Sequence, residues 1–284
     1  MKIHAYAKIN MALDVVSERE DGYHELKMIM SPISLHDLIF VDIINEGITI
    51  TSNSTRLPTD ERNIMYKVAQ AIIDKYEIKQ GVSIHCFKHI PTQAGLAGGS
   101  ADGAAVIKAM NRLFHLRMSY QDMVDLGVKI GADIPFCIYN RIAIVEGIGE
   151  ELEFIDTEYE ADLLLVKPSR GVSTKLCFES LDMDTALHPD IIGMAESLRN
   201  NDHKGIISRL CNTLEKPSLE MVPEIDTIKQ EMISIGFDGS LMSGSGSCVF
   251  GITQDPEVLE RGFQYFKKRY GFVRKSKIMN FSHK

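Results

Sequence analysis

A glycine-rich segment from Pro91 to Asp102 is the feature that most constrains how this chain can fold. It reads Pro-Thr-Gln-Ala-Gly-Leu-Ala-Gly-Gly-Ser-Ala-Asp and follows the strand-like stretch Val82–Phe87. Glycine loses more conformational freedom on folding than any other residue, so a cluster of glycines needs a reason. Close approach of backbone N–H groups to an anion, where a helix begins, is one such reason. The segment therefore predicts a strand, a phosphate-binding loop and a helix in succession.

A plain turn is the alternative interpretation of these glycines, because a lone glycine pattern has low specificity. The segment is not a Walker A loop, since no Gly-Lys-Ser/Thr follows, and it lacks the G-x-G-x-x-G of a dinucleotide-binding turn. Ser100 and Asp102 are residue types that cap helices. The apolar spacing after them predicts a helix over Ala101–Phe114.

Composition and charge exclude several classes of protein. A net charge of −8 over 284 residues argues against a partner such as nucleic acid or a membrane surface, which requires a basic face. The five cysteines are dispersed, with no C-x-x-C pair and no Cys/His cluster at zinc spacing, so we expect free thiols and no metal site formed by the protein. No signal-peptide pattern and no apolar run of about 18 residues is present, and we expect a cytoplasmic protein.

The order of the predicted elements indicates an α+β fold. The first part of the chain is rich in strands, including separate strands at Met28–Leu35 and Asp37–Asn45, and the later part alternates helices, one at 203–213, with strands. This is not the regular βαβα repeat of a doubly wound sheet. The loosely patterned stretch Asp156–Ala161 is the best candidate boundary, which predicts domains over residues 1–158 and 159–284.

Other segments of the sequence make the glycine loop a more specific signal of function. In order along the chain they are Ala5-Tyr-Ala-Lys-Ile-Asn10, the loop itself, and Leu241-Met-Ser-Gly-Ser-Gly-Ser-Cys-Val-Phe-Gly251. Together they resemble the three signature segments of the GHMP small-molecule kinase superfamily, which includes galactokinase, homoserine kinase and mevalonate kinase. Four further segments extend the resemblance over nearly the full chain: Asp21–Glu25, Gly131–Phe136, Gly147–Glu150 and Lys167–Thr174.

The resemblance implies a two-domain α+β GHMP-kinase fold with ATP and substrate in the cleft between the domains. It implies that Asp133 is the base that takes a proton from the acceptor hydroxyl, and that Lys8 stabilises the developing charge. Taken alone, Asp133 would be a turn former and Lys8 a solvated residue of a strand. Magnesium is expected with the nucleotide rather than on a cluster of protein ligands. The residues expected to bind ATP are Asn63, Pro91, Ala94, Gly95, Leu96, Ala97, Gly98, Gly99, Ser100, Ala101 and Asp102.

The more specific segments resemble the branch of the superfamily that acts on a cytidine diphosphate-linked polyol in isoprenoid precursor synthesis. The resemblance implies that Tyr23 and His24 bind the cytosine and that Phe178 closes its other face, where stacking contributes about 1–3 kcal/mol per base. It implies a substrate hydrogen bond from Asn10. The segment Ser243, Gly244, Ser245 and Gly246 is expected beside the phosphates.

Each of these assignments has a simpler alternative. Tyr23 and His24 could only follow the Asp-Gly turn, Asn63 could only cap a helix, and Ser243–Gly246 could only join two strands. For the whole chain, the alternatives are a kinase acting on another small alcohol, or a nucleotide-binding regulator without turnover. The pair Tyr23-His24 argues against the first, and the presence of Lys8 and Asp133 argues against the second. A monomer or a homodimer is compatible with the sequence.

Overall fold

The computed structural model describes residues 1–20, 22 and 24–281. Strands and helices alternate without a regular repeat. The strands are β1 Lys2–Glu18, β2 His24–Ile44, β3 Ile48–Ser52, β4 Gly81–Phe87, β5 Ala143–Gly147, β6 Glu151–Phe154, β7 Asp162–Lys167, β8 Cys211–Asn212, β9 Gly239–Met242, β10 Val249–Thr253 and β11 Phe272–Lys277. The helices are α1 Ile64–Tyr76, α2 Gly98–Leu113, α3 Tyr120–Gly127, α4 Ile134–Tyr139, α5 Thr174–Glu179, α6 Ile191–Arg199, α7 His203–Ser208, α8 Glu215–Met221, α9 Glu224–Ile235 and α10 Pro256–Phe266.

The chain divides into two compact units, each made of several segments. The first unit consists of Met1–Ala7, His36–Ile90 and Ala97–Asn140, and the second of Lys8–Leu35, Pro91–Leu96 and Arg141–Lys284. Strands β1 and β2 each contribute to both units. The division expected at residue 158 stays a prediction.

In the first unit, helices α1 and α2 pack against each other beside a sheet. Strand β4 pairs antiparallel with the second half of β2 and parallel with β3. The helix α1 begins at the cap residue Asn63, and α3 begins with a capping box of Ser119 and Asp122. Such caps satisfy backbone N–H groups that have no partner in the first turn. The core between the helices includes the fully buried side chains of Val68, Ile72 and Met110.

In the second unit, an antiparallel sheet with the order β11-β7-β10-β9 supports helices α9 and α10. Residues 163–166 of β7 are buried at every position, as in a strand covered on both faces. Further pairs in this unit are β5 with the first half of β2 and β5 with β6, both antiparallel, and β8 with β1, parallel.

The expectation of two separate strands at Met28–Leu35 and Asp37–Asn45 is wrong. Strand β2 runs without a break because its first half has β5 as a partner and its second half has β4. The helix expected over 203–213 is also too long, since α7 ends at Ser208 and Cys211–Asn212 form β8. A two-residue parallel bridge depends on β1, far away in the sequence, and local periodicity does not reveal it.

The assignment of Ser100 and Asp102 as helix caps is wrong as well. Helix α2 begins at Gly98, its cap position is Ala97 in a left-handed conformation, and no side chain caps it. Packing explains the early start, since a Cβ on Gly98 would lie 2.9 Å from Ile90 Cγ2. Ser100 and Asp102 therefore lie inside the helix.

Candidate active site

Two loops of the second unit, Pro91–Leu96 and Ser243–Gly246, lie backbone against backbone. Gly95 has φ +71°, and a Cβ at this position would lie 1.8 Å from the carbonyl oxygen of Ser243. Gly244 has φ +57°, and its Cβ would lie 3.1 Å from the Gly95 Cα. Only residues without a Cβ fit this contact. The structure thus brings together two glycine-rich segments that are distant in the sequence.

Ser243 holds this pair of loops to strand β1. Its side chain is fully buried, and its Oγ donates to the carbonyl oxygen of Gly95 at 3.0 Å. The same Oγ accepts the backbone N–H of Asn10 at 3.3 Å. A backbone hydrogen bond from Cys248 to Ala94 adds a second link between the loops, at 3.3 Å. The segment does form a tight turn between β9 and β10, with Gly246 N–H donating to Ser243 O, but its contacts reach beyond that turn.

Lys8 is buried next to these loops. Only 5% of the residue is exposed, which rules out the solvated lysine that was its simpler interpretation. Its Nζ donates to Asn10 Oδ1 at 2.7 Å, and its backbone N–H donates to the Leu96 carbonyl oxygen at 3.2 Å. Among the described residues, no carboxylate forms an ion pair with Lys8. An ammonium group has three donors, so two remain for an anion.

A ring of polar side chains outside the predicted set fixes the Ser243–Gly246 turn. Asn212, which is 4% exposed, donates to the carbonyl oxygens of Met242 and Gly244 at 2.9 and 2.8 Å. Ser218 donates to the Ser245 carbonyl oxygen at 3.1 Å. The hydroxyl groups of Thr174 and Ser245 lie 2.8 Å apart. Buried backbone carbonyls that are satisfied in this way hold the turn in one conformation.

His24 and Phe178, predicted to surround a base, lie side by side in the second unit. Their ring centroids are 4.8 Å apart and the rings are tilted by 35°. Both residues are half-buried. Tyr23, the third member of the predicted group, lies outside the described residues. The two rings offer an aromatic surface of the kind on which a nucleobase stacks.

In the first unit, Asp102 does not cap helix α2. Its side chain belongs to a buried cluster with Lys88 and Asp37. Its Oδ2 accepts from Lys88 Nζ at 2.7 Å, while its Oδ1 is buried without a partner among the described residues. Burial raises the pKa of Asp102 to about 8, against the opposing effect of Lys88. Burial also opposes the charge of Lys88, but the carboxylates of Asp102 and Asp37 raise its pKa overall.

Asn63 caps helix α1, as its simpler interpretation proposed. Its Oδ1 accepts the Met65 N–H at 2.8 Å, and its Nδ2 donates to the Pro58 carbonyl oxygen at 2.5 Å. The position near the adenine, which the resemblance implies, stays a prediction.

Asp133 occupies the cap position of helix α4, but its side chain does not cap it. No hydrogen bond or ion pair of this carboxylate occurs within the part of the chain that the structure describes. The turn that leads to Asp133 passes the start of α2, since a Cβ on Gly131 would lie 3.6 Å from Ser100 Oγ. A half-buried carboxylate without a protein partner is available to a substrate hydroxyl.

Comparison with protein families matches both parts of the chain. Residues 63–141 match the GHMP kinases N terminal domain, and residues 194–271 match the GHMP kinases C terminal domain. A 4-diphosphocytidyl-2-C-methyl-D-erythritol kinase of Clostridium acetobutylicum is 45% identical over 275 residues, which are 96% of this chain and 98% of that protein. The protein of that name from Bacillus subtilis is 42% identical over 90% of this chain and 89% of its own length. The chain belongs to the GHMP kinase family.

Solved structures agree with membership of the GHMP kinase family. A crystal structure of 4-(cytidine 5'-diphospho)-2C-methyl-D-erythritol kinase superposes with a TM-score of 0.84 at 29% identity, covering 99% of this chain and 100% of that one. Homoserine kinase from Cytophaga hutchinsonii superposes with a TM-score of 0.77 at 20% identity, covering 98% and 95%, and shares the fold. The predicted family, the α+β GHMP-kinase fold and the kinase class are confirmed.

The described part of this GHMP kinase lacks a metal-binding cluster and a membrane-spanning helix. Within residues 1–20, 22 and 24–281, no group of three or more His, Cys, Asp or Glu side chains is arranged to hold a metal ion. None of the helices in the same ranges combines the length and the apolar character needed to cross a membrane.

Sequence reasoning missed the polar residues Asn212 and Ser218 in the second unit and Lys88 and Asp37 in the first unit. Asn212 stood inside an expected helix, where an asparagine indicates nothing in particular. Lys88 lies just after the predicted strand Val82–Phe87, and Asp37 is the first residue of the predicted strand Asp37–Asn45. The available signal was the position of Lys88 and Asp37 in the sequence. Lys88 lies three residues before the loop, and Asp37 interrupts an apolar strand.

Proposed function

We propose that this chain transfers the terminal phosphoryl group of ATP to the 2-hydroxyl group of 4-diphosphocytidyl-2-C-methyl-D-erythritol. The observation that carries the proposal is Lys8, a buried ammonium whose only described side-chain partner is the neutral amide of Asn10. Its backbone also holds Leu96, within the glycine loop. A buried cation with unused donors suits the oxygens of a phosphoryl group in transfer.

The glycine loop and helix α2 would bind the phosphates of ATP. Backbone N–H groups of a glycine-rich loop and the positive end of a helix both attract anions. Helix α2 has 16 residues and no side chain that caps its first turn. Magnesium bound to the nucleotide would neutralise part of the phosphate charge.

Asp133 would act as the base. In the proposed reaction the acceptor hydroxyl gives its proton to the Asp133 carboxylate, and its oxygen forms a bond to the terminal phosphorus of ATP. The bond from that phosphorus to the bridging oxygen breaks, which releases ADP. Lys8 would stabilise the negative charge on the oxygens during this step.

The aromatic pair His24 and Phe178 supports an acceptor that carries a base, and the names of the full-length relatives point the same way. An acceptor without a base would leave this surface without a ligand. Tyr23, Asn10 and Ser243–Gly246 are proposed to complete the acceptor and phosphate contacts. A cytoplasmic location stays a prediction.

A coupled assay of ADP release tests the proposal. The cytidyl compound is compared with mevalonate, phosphomevalonate, homoserine and galactose, and we expect turnover with the cytidyl compound alone. Turnover with another alcohol, and none with the cytidyl compound, would refute the proposed acceptor. ADP release with none of the acceptors, from a chain that binds ATP, would instead favour a regulator.

Asp133→Asn is the matched negative control in this assay. It keeps the size of the side chain and removes the basic oxygen, so we expect turnover to vanish while ATP binding persists. Unchanged turnover would remove Asp133 from the mechanism.

A further inference from the structure

Three titratable side chains of the first unit form a cluster that is almost closed to solvent. Lys88 Nζ lies 2.5 Å from Asp37 Oδ2 and 2.7 Å from Asp102 Oδ2. The side chains of Lys88, Asp37 and Asp102 are 8%, 0% and 2% exposed. Burying such a cluster costs desolvation energy, and an apolar replacement is often as stable. Stability alone is therefore a weak explanation for it.

Asp37 binds the backbone just before the glycine loop. Its Oδ1 accepts the N–H of His89 and, at 2.8 Å, the N–H of Ile90. Pro91 follows directly and opens the loop. Asp37, on β2, thereby fixes the point where the chain leaves the sheet.

Asp102 and Gly98 bring the other end of the loop to the same lysine. Asp102 lies in the second turn of α2. Its Oδ2 accepts a hydrogen bond from Lys88 Nζ. A Cβ on Gly98 would lie 3.4 Å from Lys88 Nζ, so the ammonium group lies directly against the first residue of the helix. Lys88, which precedes residues 91–97 in the chain, thus contacts Gly98 and Asp102, which follow them.

We propose that Lys88, held by Asp37 and Asp102, is a positioning residue that joins the two ends of the glycine loop and thereby sets the affinity for ATP. The inference rests on the proposed function only in that this loop binds the phosphates. It does not depend on the identity of the acceptor. A loop of this kind acts through the placement of its backbone N–H groups, and small displacements of binding groups have large effects.

The two carboxylates have unequal roles in this cluster. Asp37 uses both oxygens, for Lys88 and for two backbone N–H groups, whereas Asp102 Oδ1 has no partner among the described residues. An asparagine at 37 that still accepts the N–H groups would turn its NH₂ group toward the ammonium. An asparagine at 102 can keep the hydrogen bonds from Lys88 and from the Cys86 thiol through its carbonyl oxygen.

The test measures the Kd of a non-hydrolysable ATP analogue by calorimetry, together with the KM of both substrates. Lys88→Met should weaken binding of the analogue by about tenfold or more, and the KM of the acceptor should change little. Ile72→Ala is the control, because it leaves a cavity in the core of the same unit and removes none of the ion pairs of the cluster. A Lys88→Met protein that binds the analogue as tightly as Ile72→Ala, at a similar loss of Tm, would show that the cluster is merely structural.

If Lys88→Met does not fold, the variants Asp37→Asn and Asp102→Asn test the positioning role of Lys88. Asp37→Asn should weaken binding of the analogue more than Asp102→Asn does. Equal Kd values for these two variants would overturn the proposal, as would a wild-type chain that does not bind the analogue. A wild-type chain that binds the analogue but does not phosphorylate the cytidyl compound would refute the proposed acceptor and leave the positioning role standing.

Discussion

At the scale of single residues, Lys8 combines two properties that rarely occur together. It is buried, and among the described residues its ammonium group has a neutral amide as its side-chain partner instead of a carboxylate. A buried charge without a counter-charge is costly, so proteins keep one mainly where it has a task. The polar neighbour Asn10 orients the ammonium group without neutralising it.

Lys8→Met should lower kcat by about 10²–10³, the loss that follows removal of one group that stabilises the transition state. Methionine keeps an unbranched side chain that is one atom shorter, and it removes the ammonium group with its charge and its hydrogen bond to Asn10. Because the charge matters most when the phosphoryl group moves, the Kd of an ATP analogue should change much less than kcat. Steady-state kinetics and calorimetry on the same preparation measure both quantities.

Lys2→Met is the matched control for this experiment. Lys2 lies on the same strand but is exposed. The kcat of the Lys2→Met protein should therefore equal that of the wild type. A Lys8→Met protein whose kcat stays within a few-fold of the Lys2→Met value would contradict the role of Lys8.

At the scale of elements, the sequence predicts those parts that local pattern determines. The helix α1 follows from apolar spacing and from the cap Asn63, and composition reveals the second glycine segment. The start of α2 was missed because packing of Gly98 on Ile90 outweighs the low helix propensity of glycine. The contact of Ser243 with Gly95 joins residues 148 positions apart, and no local signal reports it.

Gly95→Ala should disrupt the contact between the two loops. A Cβ with φ +71° is strained, and it would also lie 1.8 Å from a carbonyl oxygen, so the backbone must move. We expect the free energy of unfolding to fall by about 2–3 kcal/mol and the KM for ATP to rise. Urea denaturation and steady-state kinetics measure the two effects.

Gly47→Ala separates the strain from the clash. Gly47 has a similar φ of +77°, but a Cβ there meets nothing within 4 Å. It should cost less stability than Gly95→Ala and leave the KM for ATP unchanged. Equal effects of the two substitutions would mean that the loops do not depend on close backbone contact.

At the scale of the whole molecule, buried charge makes stability depend on pH. Asp102 has a pKa raised by burial to about 8, compared with 3.8 for an unperturbed carboxyl. Between these two values the folded chain binds more protons at this site than the unfolded chain does. Its contribution to stability is therefore present below about pH 4 and is lost as the pH rises toward about 8.

Asp102→Asn should remove this dependence. From about pH 5 to about pH 8, the free energy of unfolding of the wild type should fall relative to that of the variant, by at most about 1.4 kcal/mol per pH unit, the slope for one proton. Asp122→Asn provides the control with the opposite sign. Hydrogen bonds from Ser119 lower the pKa of Asp122, so its contribution is lost only as the pH falls below about 4. Urea denaturation of the three proteins at a series of pH values gives the curves, and parallel curves for wild type and Asp102→Asn between pH 5 and 8 would show that Asp102 is ionised throughout.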